Sequence, residues 1–253
     1  MKLVTFNIRC DWGEDGQNNF CFRKPLILKT LEKEQPDVLC FQEVLPHVAK
    51  WLQDSLKGYT CVGCGRSNTL EDEQLTICFR ADKYQLLEMD TYWLSETPYV
   101  PGTCHKEQSD CPRVTTQVLL REYATGKCFR IVNVHLDHIG AYARCVGLDQ
   151  VLTHAESARF CPDAAIIVTG DYNAYPGDHE FDAVFEKHPG YVNATEGIGH
   201  TWHDFKGDLM EDTGNIDYVY LKGDVHCTHV EKWKQQENGV FLSDHYPVCA
   251  VIE

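Results

Sequence analysis

The chain has 253 residues, with 38 acidic against 23 basic side chains and a formal net charge of −15. That length allows one large domain or two small ones, and no linker, low-complexity tract or internal repeat divides it, so a single domain over residues 1–253 is expected. An acidic balance with no basic run longer than two residues argues against a protein that tracks duplex DNA through many phosphates.

Taken in chain order, Leu3–Phe6 is a first strand, and Arg23–Glu34 reads as a helix with Pro25 in its first turn and Pro36 beyond its end. Asp37–Phe41 is a strand, followed by a helix over Leu45–Leu56 with Val48, Trp51, Leu52 and Leu56 at helical spacing. Strands follow at Thr76–Arg80, Tyr84–Thr91, Thr115–Tyr123 and Cys128–Val134, the last two joined by the hairpin signal Ala124-Thr125-Gly126-Lys127. Ala141–Ala158 is the longest predicted helix, Ala164–Thr169 a buried strand, and Glu180–Glu186 a short helix. Strand-forming runs at Ile216–Tyr220 and Val248–Ile252 close the chain. No run of 18 apolar residues predicts a membrane span, and the N-terminus enters a strand without the pattern of a signal peptide. Thirteen cysteines, an odd number and mostly inside apolar runs, then suggest a reduced, cytoplasmic protein; the lone Cys61-Val62-Gly63-Cys64 has no partner pair for zinc.

Chemistry gathers where strands end. Asn7 and Arg9 follow the first strand, Gln42-Glu43 the second, and Gly170-Asp171-Tyr172-Asn173 the buried strand. Asp171 and Asn173 are two apart and share a face in extended chain. Asp217 and the run Ser243-Asp244-His245 sit at later strand termini. Oxygen donors with one base select a hard cation, Mg²⁺ or Mn²⁺, over zinc.

The order Thr-Phe-Asn-Ile-Arg, Gln-Glu-Val, Asn-Val-His-Leu-Asp-His, Gly-Asp-Tyr-Asn-Ala, Ile-Asp-Tyr and Ser-Asp-His-Tyr-Pro-Val, from residue 5 to residue 248, resembles the endonuclease/exonuclease/phosphatase superfamily. That group includes deoxyribonuclease I, exonuclease III-type nucleases, inositol polyphosphate 5-phosphatases and the nocturnin and carbon-catabolite-repressor-type deadenylases. With Tyr92-Trp93-Leu94-Ser95-Glu96-Thr97-Pro98, the chain is most similar to a short bacterial-type branch near the deadenylases. The resemblance implies a four-layer α/β sandwich of two mostly antiparallel, mixed sheets flanked by helices.

It also implies roles. Glu43 becomes the principal metal ligand, Asn7 helps to hold the ion or its water, and Asp244 sits near a second metal position. Asp171 orients and activates the attacking water, supported by Asn173. Asp217 fixes the tautomer of His245, which contacts the scissile phosphate, and His135 gives another donor. Glu73 reads either as part of a solvated acidic loop or as a carboxylate supporting His135. Asp137 and His138 either join the site or brace the loop before the long helix. Arg9, Arg113 and Arg144 are candidate phosphate contacts, since a planar fork takes two phosphate oxygens. His203 is expected to line the pocket.

Substrate choice resides in loops. Trp12, Phe20, Trp202 and Phe205 stand in or beside the loops Cys10–Cys21 and Gly197–Gly214, either to stack a base or sugar or to anchor the loops. The favoured reading is a monomeric, metal-dependent phosphodiesterase acting on single-stranded nucleic acid 3′ ends, with RNA favoured. The alternative is a phosphatase or phosphodiesterase on a small phosphorylated metabolite, nucleotide or lipid head group, to which the acidic charge lends weight. An inactive binding scaffold ranks last, because every expected polar residue is present.

Overall fold

The computed structural model describes residues 1–211 and 213–253. Two six-stranded sheets lie face to face. The first has the order β11-β14-β1-β2-β4-β3, built from β1 (Lys2–Asn7), β2 (Val38–Val44), β3 (Tyr59–Val62), β4 (Gln74–Arg80), β11 (Cys227–Lys232) and β14 (Val248–Ile252). The second has the order β5-β6-β7-β8-β10-β9, built from β5 (Tyr84–Trp93), β6 (Val114–Glu122), β7 (Cys128–His135), β8 (Ala165–Asp171), β9 (Val192–Asn193) and β10 (Asp217–Lys222). A small ribbon of β12 (Gln236–Glu237) and β13 (Val240–Phe241) lies apart.

Each large sheet contains one parallel pair, β1 with β2 and β7 with β8, and is otherwise antiparallel. The parallel pairs need crossovers, which α1 (Phe20–Glu34) and α3 (Ala141–Glu156) provide. Three apolar layers result. Leu3, Val38, Ile77 and Phe79 meet Val118, Ile131, Ile167 and Val219 between the sheets. Phe6, Leu39 and Phe41 pack against Ile27 and Leu31 of α1 and Val48 and Leu52 of α2 (Pro46–Ser55). Val132, Val134 and Val168 pack under Leu148, Val151 and Leu152 of α3 and Val184 of α4 (Asp182–Lys187). The predicted four-layer sandwich is thus the fold observed.

Departures from the sequence-based expectation have local causes. Helix α1 begins at Phe20, placing Pro25 inside it. Buried Phe20 packs edge-on against Trp51 at 5.1 Å, which starts the helix a turn early. β3, β9, β11 and the β12–β13 ribbon went unpredicted. They are short or carry mixed burial, so no clean period-two pattern marks them. The expectation of uniformly reduced cysteines is corrected at one point: Cys61 and Cys78, directly opposed on β3 and β4, form a disulfide.

Candidate active site

β1 and β2 end side by side, with Asn7 opposite Gln42 and Glu43 one residue further on. Glu43 has φ 61°, within the irregularity where β2–β4 register shifts between Phe41 and Val44. A left-handed residue with a side chain costs about 1–3 kcal/mol and re-aims that side chain, a pattern common at functional sites. Arg9 (φ 61°) and Asn173 (φ 52°) share the conformation. Glu43 Oε1 accepts from Asn7 Nδ2 at 2.8 Å, and its Oε2 accepts from the Cys10 amide at 2.7 Å. Asn7 Nδ2 also donates to Asp171 Oδ2 at 3.0 Å, so one amide spans the two sheets.

The second parallel pair ends with His135 opposite Asp171. Only glycine fits before Asp171: a Cβ on Gly170 would stand 1.9 Å from the Val134 carbonyl oxygen, and its φ is 144°. Asp171 faces Asp217 across the antiparallel β8–β10 pair. Asp217 Oδ2 lies 2.9 Å from His245 Nδ1, and His245 Nε2 lies 3.8 Å from Asp171 Oδ2. His135 Nε2 approaches the same Asp171 oxygen at 3.5 Å. The Asn173 amide donates to Asp171 Oδ1 at 2.9 Å, while its side chain donates to the Leu136 carbonyl at 3.0 Å.

Burial and the facing charge of Asp217 push Asp171 up to about 7. Burial opposes charge on His245, but the charge and hydrogen bond of Asp217 lift it well above the usual histidine range, so this ring is cationic. His135 goes the other way: burial, with Arg113 and Arg66 nearby, holds it well down and neutral. Burial also raises Asp244, which lies 3.7 Å from Arg9 Nη1.

Glu43, His135 and Asp171 present donor atoms within 4.8 Å of one another, as do Asp171, Asp217 and His245. Carboxylates from both sheets with the Asn7 amide between them fit a hard divalent cation. The crowding that raises Asp171 is a condition that such a cation relieves.

Glu43, His135, Asp171 and His245 line an open cavity of about 470 Å³, together with Arg9, Arg113, Glu73 and His138; Asn7 and Asp217 lie behind them. Glu73 joins Arg66, at 2.7 Å, and not His135; burial pushes it up to about 6. Asp137 accepts from the Ile139 and Gly140 amides at 3.0 and 2.7 Å and from Ser109, so it braces the loop before α3.

Two expected binding residues lie elsewhere. Arg144 forms a forked pair with Glu180 at 2.8 and 2.5 Å and does not line the cavity. His203 is buried against Tyr246 at 4.1 Å between centroids, where burial pushes it down to about 3. Of the four loop aromatics, Trp12 and Trp202 line the cavity, whereas Phe20 is core and Phe205 anchors against Phe241. Of the Gly197–Gly214 loop, position 212 lies outside the described residues. Sequence reading missed Arg66, Cys10, Cys111 and Tyr175 in the cavity wall. Arg66 stands among Gly65, Ser67 and Asn68, a turn composition that gives no sign of a buried base.

A sandwich of two mixed sheets with acids, amides and imidazoles converging at one end defines a deoxyribonuclease I-like fold. A family model described as "Endonuclease/Exonuclease/phosphatase family" matches residues 4–245, and the chain belongs to that family, whose members are phosphoester hydrolases. Protein angel homolog 2 of Bos taurus is 27% identical over 184 residues, a match covering 66% of this chain but only 31% of that protein. The solved endonuclease/exonuclease/phosphatase from Bacteroides vulgatus is 28% identical, with a TM-score of 0.92, covering 100% of this chain and 98% of that one. A mannosyl-6-phosphatase from Bacteroides thetaiotaomicron shares the fold at TM-score 0.90 and 24% identity, covering 100% and 99% of the two chains.

Proposed function

We propose that this chain, acting as a monomer, hydrolyses a phosphoester of a small phosphorylated substrate with Mg²⁺ or Mn²⁺ held by Glu43 and Asn7, with Asp244 beside a second position. One observation carries the reading: Asn7, Glu43, Asp171, Asp217 and His245 converge from both sheets through contacts of 2.8 to 3.8 Å. When bound, the cation offsets charge on the phosphoryl oxygens and lowers the pKa of water.

The protein groups divide the remaining work. Asp171, 3.8 Å from His245 Nε2 and 3.5 Å from His135 Nε2, is placed to accept a proton from the attacking water. The Asn173 amide holds its other oxygen in place. Asp217 orients His245, so that Nε2–H meets the developing phosphoryl charge. Neutral His135 adds a hydrogen bond without a charge.

A cavity of about 470 Å³ in a chain of net charge −15 favours a small substrate over a duplex. A second reading, the 3′ end of single-stranded RNA or DNA, draws on Trp12, Trp202 and Tyr175 in the cavity wall. Each base stacked there contributes about 1–3 kcal/mol. Purified protein with Mg²⁺ or Mn²⁺, assayed against phosphorylated metabolites, labelled single strands and supercoiled plasmid, tests the proposal. Hydrolysis that stops with a chelator and leaves plasmid intact is expected. Full activity in excess chelator overturns the metal assignment, and efficient nicking overturns the substrate class.

A further inference from the structure

Cys128 opens β7, and Arg130 stands two residues further on, so both side chains share the face on which Val132 and Val134 pack under α3. Arg130 is 2% exposed, and its Nη2 donates to the Phe160 carbonyl at 2.7 Å. That bond draws the segment between α3 and β8 down onto the start of β7. The next residue of the segment is Cys161. Its φ is 49°, uncommon for a residue with a side chain, and its carbonyl accepts from the Ala164 amide at 3.0 Å. The parallel register adds a second constraint, since Phe129 lies opposite Ala165 at the beginning of both strands.

Cys128 and Cys161 thus meet from two elements, and both line a cleft of about 350 Å³ with Lys127, Asp163 and Asp224. Both are partly exposed, and neither belongs to a disulfide. Burial, then the hydrogen bond and charge of the facing Cys128 thiol, raise Cys161 above the ordinary thiol value, while Arg121 acts against them. Arg121 stands directly opposite Cys128 across β6 and β7, a positive charge that favours a thiolate. By contrast, Cys10, Cys40 and Cys249 are free but buried. Two facing thiols at an open cleft have what oxidation to a disulfide needs, a partner within reach and access for the oxidant.

We infer that Cys128 and Cys161 are a dithiol site that a low-molecular-weight disulfide, such as oxidised glutathione, converts into a staple across the β7–α3–β8 crossover. One protein thiolate attacks a sulfur of the small disulfide and displaces one small thiol, leaving a mixed disulfide. The second protein thiolate attacks the protein sulfur of that bond and displaces the other small thiol. The two protein thiols are oxidised, the small disulfide is reduced to two thiols, and the two protons pass to the leaving thiolates. The staple lies about 23 Å along β7 from His135, at the rise of a β-strand. It closes a loop that contains all of α3, so it restrains the unfolded chain and leaves the hydrolytic centre as it is.

The full chain incubated with oxidised or reduced glutathione, then alkylated and digested without reduction for mass spectrometry, tests this beside thermal melts. A peptide pair joined through Cys128 and Cys161 is expected, with Tm about 5–10 °C above that of the protein kept in reduced glutathione. Cys128→Ser and Cys161→Ser should each lose the joined pair, carry glutathione on the remaining cysteine, and show none of that rise. Every other cysteine is unchanged in these variants, so a rise that persists in both comes from another pair and overturns the inference. Wild type in which both thiols stay open to alkylation, or take up glutathione separately, overturns it too. A joined pair without the rise in Tm overturns the staple.

Discussion

The two parallel units, β1–α1–β2 and β7–α3–β8, use the same scaffold to different ends. Each places two strand termini side by side under a crossover helix, Asn7 beside Gln42 in one and His135 beside Asp171 in the other. In the first, the break in β2–β4 register turns half-buried Glu43 toward the cavity. In the second, regular pairing with β10 sets buried Asp217 against buried Asp171. A bulge thus yields an accessible carboxylate suited to a cation, while an unbroken ladder yields a crowded pair suited to holding a proton near neutrality. The helices differ too. Buried Arg23 ties α1 to the carbonyls of Asn18, Ile8, Leu242 and Arg9. Helix α3 is tied to α4 and β10 through carboxylates, with His188 between Asp149 and Glu156 at 3.0 and 2.9 Å.

The largest effects test that division of labour. Asp171→Asn and Glu43→Gln should each lower kcat by about 10³-fold at ordinary metal concentration. Raising Mg²⁺ or Mn²⁺ should restore part of the Glu43→Gln activity and none of the Asp171→Asn activity. Metal titrations that superimpose would erase the distinction between the two units. Arg23→Met should cost about 3 kcal/mol in denaturant unfolding, because it leaves several buried carbonyls without donors. An unchanged midpoint would show that α1 is held by its apolar face alone.

Smaller effects refine the comparison. Asp217→Asn should lower kcat about 100-fold with little change in KM, since the amide loses the charge that holds His245 cationic. A KM effect instead would make Asp217 a binding group. Trp12→Ala should raise KM about tenfold for ring-bearing substrates and leave inorganic phosphate binding alone. The smallest change is in acid stability. Although burial opposes it, hydrogen bonds from Lys187 and His188 hold Asp149 below the usual carboxylate range, and those from Lys222 and His188 do the same for Glu156. A lowered folded-state pKa stabilises above the unfolded value, near about 4, and that contribution disappears as pH falls through the folded value. His188→Gln should therefore cost about 1 kcal/mol at pH 7, a figure reduced for partial exposure, and the gap to wild type should close below about pH 4. A gap that widens in acid would contradict the sign.

Sequence by itself determined the family, the layered α/β class, and the strand ends that carry Asn7, Glu43, Asp171, Asn173, Asp217 and His245. Short motifs and buried strands are local: a run such as Ala165–Val168 declares itself by composition, and the polar residue after it by position. Tertiary structure decided which polar residues meet and in what state. Nothing along the chain distinguishes Arg144 from Arg113, yet one forks onto Glu180 away from the cavity and the other, 3.8 Å from Asp137, lines it. The opposite charge states of His135 and His245 are likewise invisible in sequence. They depend on burial and on which carboxylate or guanidinium stands a few ångströms away, and those neighbours come from strands and loops far along the chain.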